Sequence, residues 1–526
     1  GNFAKNVRGF KVFDENGKKV SFLKTSKDTW LLTNVAGATL TVQYSYYAEL
    51  LNAGSTCIKP DLLYVNPVNC CVYPVGQEQD ICQVVLDVPN DWQVAGSLKN
   101  KAGDYQVANF DELADTPFIC SPTLQHDSYE VKGTLFHIWF NGTTIPDWTR
   151  LKRDFKAFTI SQVERFGSFP VDEYHFLFHI LPFKAYHGVE HTKSTVICLG
   201  PSYDLYGPLY NDLLGVSSHE LYHAWNVKII RPIQMMPYDF TQENYSEMGY
   251  LCEGVTTYMG DIHLLRSKVF TIEQYLKELT SRMQAHVDNH GRFHYSVAES
   301  SYDTWLDGYE PGAPNRKVNI YTEGCLLAFA ADIMIIKATG AKLGLDEVMR
   351  KLYVEYGQKG IGVSTMDYKR MLEEVSGLDF TDYFNDYVFG TRAYESLLMD
   401  LLEEIGVDFI QEPAALYSHA RVGLKSIVEN NKVIIKAIFP GSPADLAGLL
   451  LNDVIFAVNG IALNCDLDQW LNYFDDQMKT LQLIRGGHLM EISLPEVTRN
   501  FYTKVELKRT AEPHVGQRPM FNAWKR

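Results

Sequence analysis

Ser217-Ser218-His219-Glu220-Leu221-Tyr222-His223-Ala224-Trp225-Asn226 contains the pattern H-E-x-x-H, which puts His219 and His223 one helical turn apart on the same face. Two neutral imidazoles at this spacing can both reach one Zn²⁺ at about 2.0–2.1 Å, and Glu220 between them can reach a metal-bound water. Further along the chain, Glu253 opens a second helix-like segment and supplies the carboxylate of a third ligand. The sequence therefore predicts a peptidase with one zinc ion per chain.

Length and composition limit the possible classes of protein. With 526 residues the chain is too long for one hydrophobic core, so several domains are expected. The formal charge of -16 argues against binding to nucleic acid, which favours basic surfaces. No apolar run approaches the ~20 residues that span a bilayer, so we predict no membrane span. The nine cysteines are scattered and odd in number, unlike those of a disulfide framework.

Hydrophobic periodicity divides the chain into successive regions. Residues 1–145 alternate apolar and polar positions between turn residues, which predicts an N-terminal β domain. Residues 146–270 are predicted to hold the zinc site, and His175 and His179 in this region are expected to be sheet residues rather than ligands. The predicted elements are a helix at Asp147–Phe166, strands at Tyr174–Ile180 and Ser194–Leu199, a loop at Ala185–His191, and then the zinc helix.

The remaining regions change from helical to strand-like. Residues 271–408 are mainly helical, with a capping box at Thr271–Gln274 and a strongly apolar helix that begins near Tyr321. Residues 409–498 contain strand-like stretches and a short helix, and residues 499–526 form a polar tail that we expect to lie over other domains. The further elements are predicted at about 343–356, 365–376 and 381–388 (helices) and at about 420–424, 432–438 and 453–460 (strands).

These stretches resemble the glycyl aminopeptidase family, gluzincin metallopeptidases that are distantly similar to the aminopeptidase N family. The matching residues are Phe3–Val7, Asp111–Pro117, Gly188–His191, His219–Lys228, Arg231–Pro232, Cys252–Tyr258 and Pro440–Gly460. The resemblance implies a multidomain α+β fold with an N-terminal β domain, a thermolysin-like α/β catalytic domain with a mainly helical C-terminal half, and a C-terminal PDZ-like β domain. Because family members usually have several strands before the Phe3–Val7 stretch, we expect the chain to start inside the first domain.

The resemblance also assigns expected roles around the zinc ligands. Glu220 is the predicted general base, which accepts the proton of the attacking water and passes it to the leaving amine. Tyr321 is expected to stabilise the oxyanion with its phenol proton, and packing in the core or rim is the alternative. Glu190 is expected to pair with the free α-amine of the substrate beside Gly188, and a solvated loop carboxylate is the alternative. Asn226, one turn past a ligand, is expected to hold that ligand in place.

The predicted function is zinc-dependent removal of N-terminal residues from peptides, and the resemblance implies a preference for glycine or alanine. The alternatives are a zinc endopeptidase, which would not need Glu190, and a PDZ-mediated peptide-binding protein with an inactive peptidase core. The PDZ-like domain either binds a peptide end, with Arg421–Leu424 as the carboxylate cradle, or only packs against the peptidase. Family habit favours the bacterial periplasm or cell envelope over the cytoplasm.

Overall fold

The computed structural model describes residues 2–33, 35, 37, 39–98, 100–101, 104–307 and 312–526. Within these ranges, strands dominate both ends of the chain and helices dominate its middle, as the periodicity predicts. None of the described helices combines the length and the apolar character that crossing a bilayer requires. The predicted multidomain α+β fold, with β domains at both ends of a mainly helical unit, is confirmed.

The N-terminal region is built from short strands in small sheets. Its elements are β1 (Val7–Asp14), β2 (Lys19–Val20), β3 (Phe22–Lys24), β4 (Trp30–Leu32), β5 (Leu40–Tyr46), β6 (Cys57–Lys59), β7 (Leu62–Val65), β8 (Cys82–Val84), β9 (Gln93–Gly96), β10 (Asn100–Lys101), β11 (Asp104–Val107) and β12 (Phe118–Ser121), with helices α1 (Pro67–Cys70) and α2 (Phe110–Ala114). The strands pair in the orders β2-β1-β5, β3-β4, β10-β11-β8 and β6-β7-β12-β9. Tyr64 and Ile119 from the last of these sheets are fully buried against the sheet of the catalytic unit.

The catalytic sheet follows. Its elements are β13 (Gln125–Val131), β14 (Thr134–Gly142), β15 (Glu173–Ile180), β16 (Ala185–Glu190) and β17 (Ser194–Gly200), with helix α3 (Trp148–Phe166) between β14 and β15. The strand order is β13-β14-β15-β17-β16, and β14, β15 and β17 run parallel. The predicted boundary at residue 145 groups β13 and β14 with the N-terminal region, whereas their hydrogen bonds place them in this sheet.

The predicted loop at Ala185–His191 is wrong, because most of it is strand β16, which pairs antiparallel with β17. This strand lies at the edge of the sheet and is partly exposed along nearly its whole length. Its sequence therefore lacks the clean alternation of apolar and polar residues by which a half-buried strand is recognised. The predicted order of a helix, two strands and the zinc helix around it is confirmed.

Helices form the other half of the catalytic unit. They are α4 (Tyr210–Tyr222), α5 (Thr256–Arg266), α6 (Ile272–Asp288), α7 (Val297–Tyr302), α8 (Thr304–Asp307), α9 (Ile320–Ala338), α10 (Leu345–Glu355), α11 (Thr365–Ser376), α12 (Thr381–Tyr383) and α13 (Glu395–Glu404). The capping box of Thr271 and Gln274 starts α6 as predicted, and α9 is buried along most of its length. A π-helical turn, Tyr250–Val255, runs directly into α5.

The C-terminal region contains a second small domain and a tail. The elements are β18 (Val407–Pro413), β19 (Leu424–Glu429), β20 (Lys432–Ile438), α14 (Pro443–Leu446), β21 (Val454–Val458), β22 (Ile461–Ala462), α15 (Leu467–Tyr473), β23 (Lys479–Arg485), β24 (His488–Leu494), β25 (Thr503–Arg509) and α16 (Gln517–Trp524). The domain's sheet has the order β19-β20-β21-β23-β24, with β22 paired to β21, and its own core includes Ile435, Leu471 and Leu481.

The predicted strand at Ala420–Leu424 is wrong over most of its length. Ser418–Val422 forms a π-helical turn that ends at Gly423, whose φ of 74° is left-handed, and β19 begins only at Leu424. The chain reverses here because glycine adopts this backbone conformation without steric cost.

The tail returns to the catalytic unit. Strand β25 pairs antiparallel with β18, with Val407 opposite Arg509 at one end and Pro413 opposite Thr503 at the other. The predicted boundary between residues 408 and 409 therefore falls inside strand β18. Helix α16 then places the fully buried Trp524 against the catalytic helices, where its Nε1 donates to the hydroxyl of Tyr258 at 3.0 Å. The tail therefore contacts the small domain at its start, through Phe501 and Tyr502, and then lies over the catalytic unit.

Candidate active site

Two histidines and one glutamate converge where α4 meets the π-helical turn. The Nε2 atoms of His219 and His223 lie 3.0 Å apart, and an Oε2 atom of Glu253 lies 3.5 Å and 3.3 Å from them. Because His219 and His223 are one turn apart on the same helix face, their rings meet at 87° with both Nε2 atoms pointing to one place. The three predicted ligands are therefore brought together.

The donor set fits a divalent metal ion. The Nδ1 of His223 lies 2.7 Å from the carbonyl oxygen of Asn226, which only accepts hydrogen bonds, so Nδ1 carries the proton and Nε2 keeps a lone pair. Tetrahedral ligands at about 2.0–2.1 Å from Zn²⁺ lie about 3.3–3.4 Å from one another, close to the separations found here. Two imidazole nitrogens and one carboxylate oxygen are a set that zinc takes in catalytic sites.

Glycines set the spacing of the helices that carry these ligands. A Cβ atom at Gly260 of α5 would lie 2.9 Å from the Cα of His219, so α4 and α5 approach more closely than any larger residue would allow. In the same way, a Cβ atom at Gly254 would overlap the backbone of Gly324 in α9. Sequence reasoning missed both contacts, although glycines inside helical patterns are a recognised signal of close packing.

Asn226 holds two parts of the site together. Its carbonyl oxygen accepts a hydrogen bond from Nδ1 of His223, while its side-chain Nδ2 donates to the carbonyl of Leu251 at 2.8 Å and to Oγ1 of Thr256 at 3.0 Å. Leu251 and Thr256 flank Glu253 in the chain, so Asn226 connects the segment after α4 with the turn that carries the third ligand. The contact to His223 is made by the backbone rather than by the side chain.

Glu220 is buried beside the cluster. Its Oε2 accepts a hydrogen bond from Oγ1 of Thr195 at 3.3 Å, and its Oε1 lies against Gly188 of β16, where any Cβ would overlap it. Burial raises the pKa of Glu220 to about 8, with His223 opposing the shift and Glu190 adding to it. Gly188 therefore allows the edge strand to pass directly over this carboxylate.

Glu190 and Tyr321 complete the surroundings. Ligand atoms of Glu190, Glu220 and His223 all lie within 4.8 Å of one another, so strand β16 brings Glu190 to the metal site. Tyr321, the second residue of α9, has its ring centroid 6.2 Å from that of His219. The structure thus brings together every side chain that the sequence singled out around the zinc site.

A salt bridge ties the N-terminal region to the segment after α4, and its carboxylate partner could not be identified from the sequence. Nζ of the buried Lys228 lies 2.8 Å from Oδ1 of Asp115, which also lies 3.1 Å from Nδ1 of His191. Burial by itself would raise the pKa of Asp115, but the charge of Lys228 and the contact with His191 hold it well below its usual range. Lys228 follows helix α4 in the chain and His191 follows strand β16, so their contacts with Asp115 fix the segments on both sides of the site.

A second group of histidines lies on the catalytic sheet. Glu173 Oε1 lies 2.9 Å from Nε2 of His137 and 3.4 Å from Nε2 of His175, and Trp139 Nε1 donates to Nδ1 of His175 at 3.2 Å. The rings of His137 and His175 stack at an interplanar angle of 7°, so their nitrogens do not point at one another. His175 is a hydrogen-bonded sheet residue, and the Nδ1 of His179 likewise contacts Asn141 Nδ2 at 3.1 Å.

The fold and site define a class: a multidomain protein in which an H-E-x-x-H helix and a downstream glutamate form a metallopeptidase-like centre. The profile of the M61 glycyl aminopeptidase family matches residues 212–327, and that of the M61 peptidase N-terminal domain matches residues 1–122. A PDZ domain profile matches residues 434–485. The chain therefore carries the domains of the M61 glycyl aminopeptidase family together with a PDZ domain, which confirms the resemblance.

One solved structure agrees with this assignment over nearly the full length of both chains. The crystal structure of an aminopeptidase N family protein from Idiomarina loihiensis is 25% identical, with a TM-score of 0.91, and the match covers 100% of this chain and 92% of that one. An M1 zinc metallopeptidase from Deinococcus radiodurans, solved as a mutant with a Tyr-Ser-Ala substrate, is 15% identical with a TM-score of 0.44, covering 74% and 84% of the two chains. A search of curated protein sequences finds no match.

Proposed function

We propose that this chain is a zinc-dependent aminopeptidase with one zinc ion held by His219, His223 and Glu253. The observation that carries the proposal is the convergence of three metal-ligating atoms, 3.0 to 3.5 Å apart, next to the buried carboxylate of Glu220. The M61 glycyl aminopeptidase profile covers all of these residues.

Each neighbouring residue has a step for which its position is suited. Zinc, when bound, supplies Lewis-acid polarisation of the scissile carbonyl and acidifies water. The Glu220 carboxylate accepts the proton of the attacking water and delivers it to the leaving amine. Tyr321 donates a hydrogen bond from its phenol hydroxyl to the carbonyl oxygen as that oxygen gains negative charge, and keeps its proton.

Glu190 is the residue that distinguishes an aminopeptidase from an endopeptidase. It lies within 4.8 Å of ligand atoms in Glu220 and His223, where a carboxylate can pair with the α-ammonium of a substrate. This contact would fix the position of the substrate's N-terminus, so that the first peptide bond lies at the metal. Gly188, two positions earlier on the same face of β16, lets the strand approach Glu220 closely enough to hold both carboxylates beside the metal.

Glycine is the proposed N-terminal residue of the substrate, on the strength of the family description, and alanine is added because the sequence resemblance implies it. Two other functions compete with this one. An endopeptidase would accept substrates with blocked N-termini, and a PDZ-mediated binding protein would not turn over peptides at all. The complete ligand set and the presence of Glu220 favour an active enzyme.

The test is hydrolysis of a panel of aminoacyl chromogenic amides, with and without N-acetylation, before and after chelation and return of zinc. Cleavage of free glycyl or alanyl amides that zinc restores is the expected result. Cleavage of acetylated substrates would identify an endopeptidase. No cleavage by protein with confirmed bound zinc would favour the binding protein.

A variant sharpens the test of Glu190. Glu190→Gln removes the charge that pairs with the substrate ammonium, so kcat/KM for free aminoacyl amides should fall about 10–100-fold, as expected for a lost charged hydrogen bond. The zinc content should stay unchanged, because Glu190 is not one of the proposed ligands. Unchanged kcat/KM would contradict the assigned role.

A further inference from the structure

A cleft of about 770 Å³ extends from the metal site to the PDZ domain. Glu253 and Tyr321 line its catalytic side, and Lys436 together with the loop Leu449–Leu451 lines its PDZ side. This volume is within the ~300–1,000 Å³ range of ligand pockets. The cleft is therefore large enough for a substrate that extends beyond the residue at the metal.

The PDZ domain is fixed against the catalytic helices beside this cleft. Lys425 of β19 forms a 2.6 Å ion pair with Asp288 at the end of α6, and Phe439 packs edge-on against His290 with ring centroids 4.2 Å apart. These contacts hold the PDZ side of the cleft at a set position relative to the metal site.

The described basic side chains that line the cleft have carboxylate partners on its catalytic side but not on its PDZ side. On the catalytic side, Arg316 pairs with Asp303 at 2.6 Å and Lys317 pairs with Asp307 at 2.5 Å. On the PDZ side, Nζ of Lys436 donates to Oδ1 of Asn452 at 3.1 Å. Among the described cations that line the cleft, Lys436 is the one without a carboxylate at ion-pair distance.

We propose that this cleft binds the C-terminal part of short peptide substrates, and that Lys436 pairs with the free C-terminal carboxylate. The inference rests on the proposed aminopeptidase function. A short peptide carries an ammonium at one end and a carboxylate at the other, which matches Glu190 beside the metal and Lys436 across the cleft. The half-exposed Leu450 and its neighbour Leu451 offer apolar surface to the side chains between the two ends.

This role uses a different face of the PDZ domain from the one that extends its sheet. PDZ domains capture peptides by strand addition at an edge, and the edge strands of the ordered sheet here are β19, which follows the cradle expected at Arg421–Leu424, and β24. The PDZ residues of the cleft belong instead to β20 and the turn after it, to Asp445 of α14, and to the loop after α14. The domain thus acts as a wall of the substrate site, and the enzyme would prefer peptides of limited length over protein N-termini.

Binding measurements can test this without turnover. Zinc-loaded Glu220→Gln protein is titrated in a calorimeter with Gly-(Ala)n peptides, from tripeptide to octapeptide, each as a free acid and as a C-terminal amide. At the length that reaches Lys436, the acid should bind about 1.5-fold to fivefold more tightly than the amide, as expected for a solvent-accessible ion pair. Adding Lys436→Gln should remove this difference, whereas Lys432→Gln, which changes an exposed lysine of the same strand outside the cleft, should retain it.

The loop leucines provide an independent variant pair. Leu450→Ser should weaken binding of the longer acids and amides alike, by about threefold, because apolar contact area is lost. Leu446→Ser removes a leucine that is more exposed, at 64% against 52%, but lies outside the cleft, and should change nothing.

Equal affinity for acids and amides at every length would overturn the proposal, as would a difference that survives Lys436→Gln. These results are separable from failure of the proposed function. If wild-type protein does not hydrolyse glycyl amides but the acid–amide difference depends on Lys436, the aminopeptidase assignment falls and the peptide-binding cleft stands. If hydrolysis occurs and no difference is found, only the cleft proposal falls.

Discussion

In the described part of the catalytic unit, one cluster of two histidines and a glutamate lies on helices and another lies on the sheet, and these two differ in geometry rather than in composition. In the helical group, His219 and His223 meet at 87° and share a point of convergence with Glu253. In the sheet group, His137 and His175 stack at 7° and both face one oxygen of Glu173. Residues one turn apart on a helix can aim at one point, whereas neighbouring strands hold their side chains side by side.

The hydrogen bonds of the sheet group explain why we interpret it as structural. Trp139 is a donor only, so Nδ1 of His175 must accept and its Nε2 carries the proton toward Glu173. A neutral histidine in this state has no lone pair available at Nε2 for a metal. The comparison teaches that a list of ligand-type residues within a few ångströms is insufficient evidence for a metal site, and that tautomers and ring directions decide.

The largest expected effect is on metal content. His223→Ala should reduce bound zinc from one per chain to nearly none, because it removes one of three ligands and leaves an incomplete site. The matched change His175→Ala should leave zinc at one per chain. The measurement is zinc by elemental analysis after dialysis, and loss of zinc from the His175 variant would show that the sheet group binds metal.

The next effect is on turnover. Glu220→Gln should lower kcat for a glycyl amide by about 10²–10⁴-fold, the usual contribution of a general base, while zinc stays bound. Glu173→Gln makes the same chemical change in the sheet group and should leave kcat within about twofold of wild type. Retained activity in the Glu220 variant would contradict the proposed mechanism.

A glycine pair tests the close approach of β16 to the helical group. Gly188→Ala places a methyl group where Oε1 of Glu220 lies, so kcat should fall by about tenfold or more as the carboxylate is displaced. In Gly215→Ala, on helix α4 that carries His219, the added Cβ would meet no atom within 4 Å. This change should stabilise the protein by up to about 1 kcal/mol and leave kcat unchanged. Steady-state kinetics and thermal melts distinguish the two outcomes.

The smallest effect concerns pH and the sheet group. Burial lowers the pKa of His137 to about 4, with His175 and His126 lowering it further and Glu173 opposing them. As pH falls from about 6.5 to 4, His137 becomes protonated in the unfolded chain but stays neutral in the folded protein. The free energy of unfolding therefore declines over that pH range. His137→Gln should reduce this decline by about 1 kcal/mol, a figure that allows for solvent screening of the charge at this partly exposed site. His488→Gln, at an exposed position, should leave the decline unchanged. Urea melts across this pH range measure both.

Local patterns were sufficient for much of the fold and for grouping the site residues. The i, i+4 spacing of His219 and His223 and the capping box at Thr271 depend on neighbours in sequence, so they could be predicted. The pairing of β14 with β15, which brings the β13–β14 hairpin into the catalytic sheet, could not, because strand partners are set by distant contacts. Nor could the π-helical turn at Ser418–Val422, where the apolar pattern of Ala420–Leu424 suits a strand equally well.

The site shows the same division. Glu253 and Asn226 could be selected from local sequence, but the packing of Gly260 on His219 and the salt bridge between Asp115 and Lys228 join segments far apart in the chain. No periodicity encodes such a contact. The catalytic, ligand and substrate-binding roles assigned to these residues stay predictions until the variants above are measured.

The buried contact between Tyr258 and Trp524 has a consequence for synthesis. The two residues are 266 positions apart, and Tyr258 belongs to the helix that continues from the turn carrying Glu253. A ribosome adding about 5–20 residues per second needs at least roughly 13 s to travel from one to the other. Throughout that interval the H-E-x-x-H helix α4 has been synthesised, but Trp524, which packs against its neighbour α5, has not. Completion of the peptidase unit is thus delayed until the ribosome has translated the whole PDZ domain and reached Trp524.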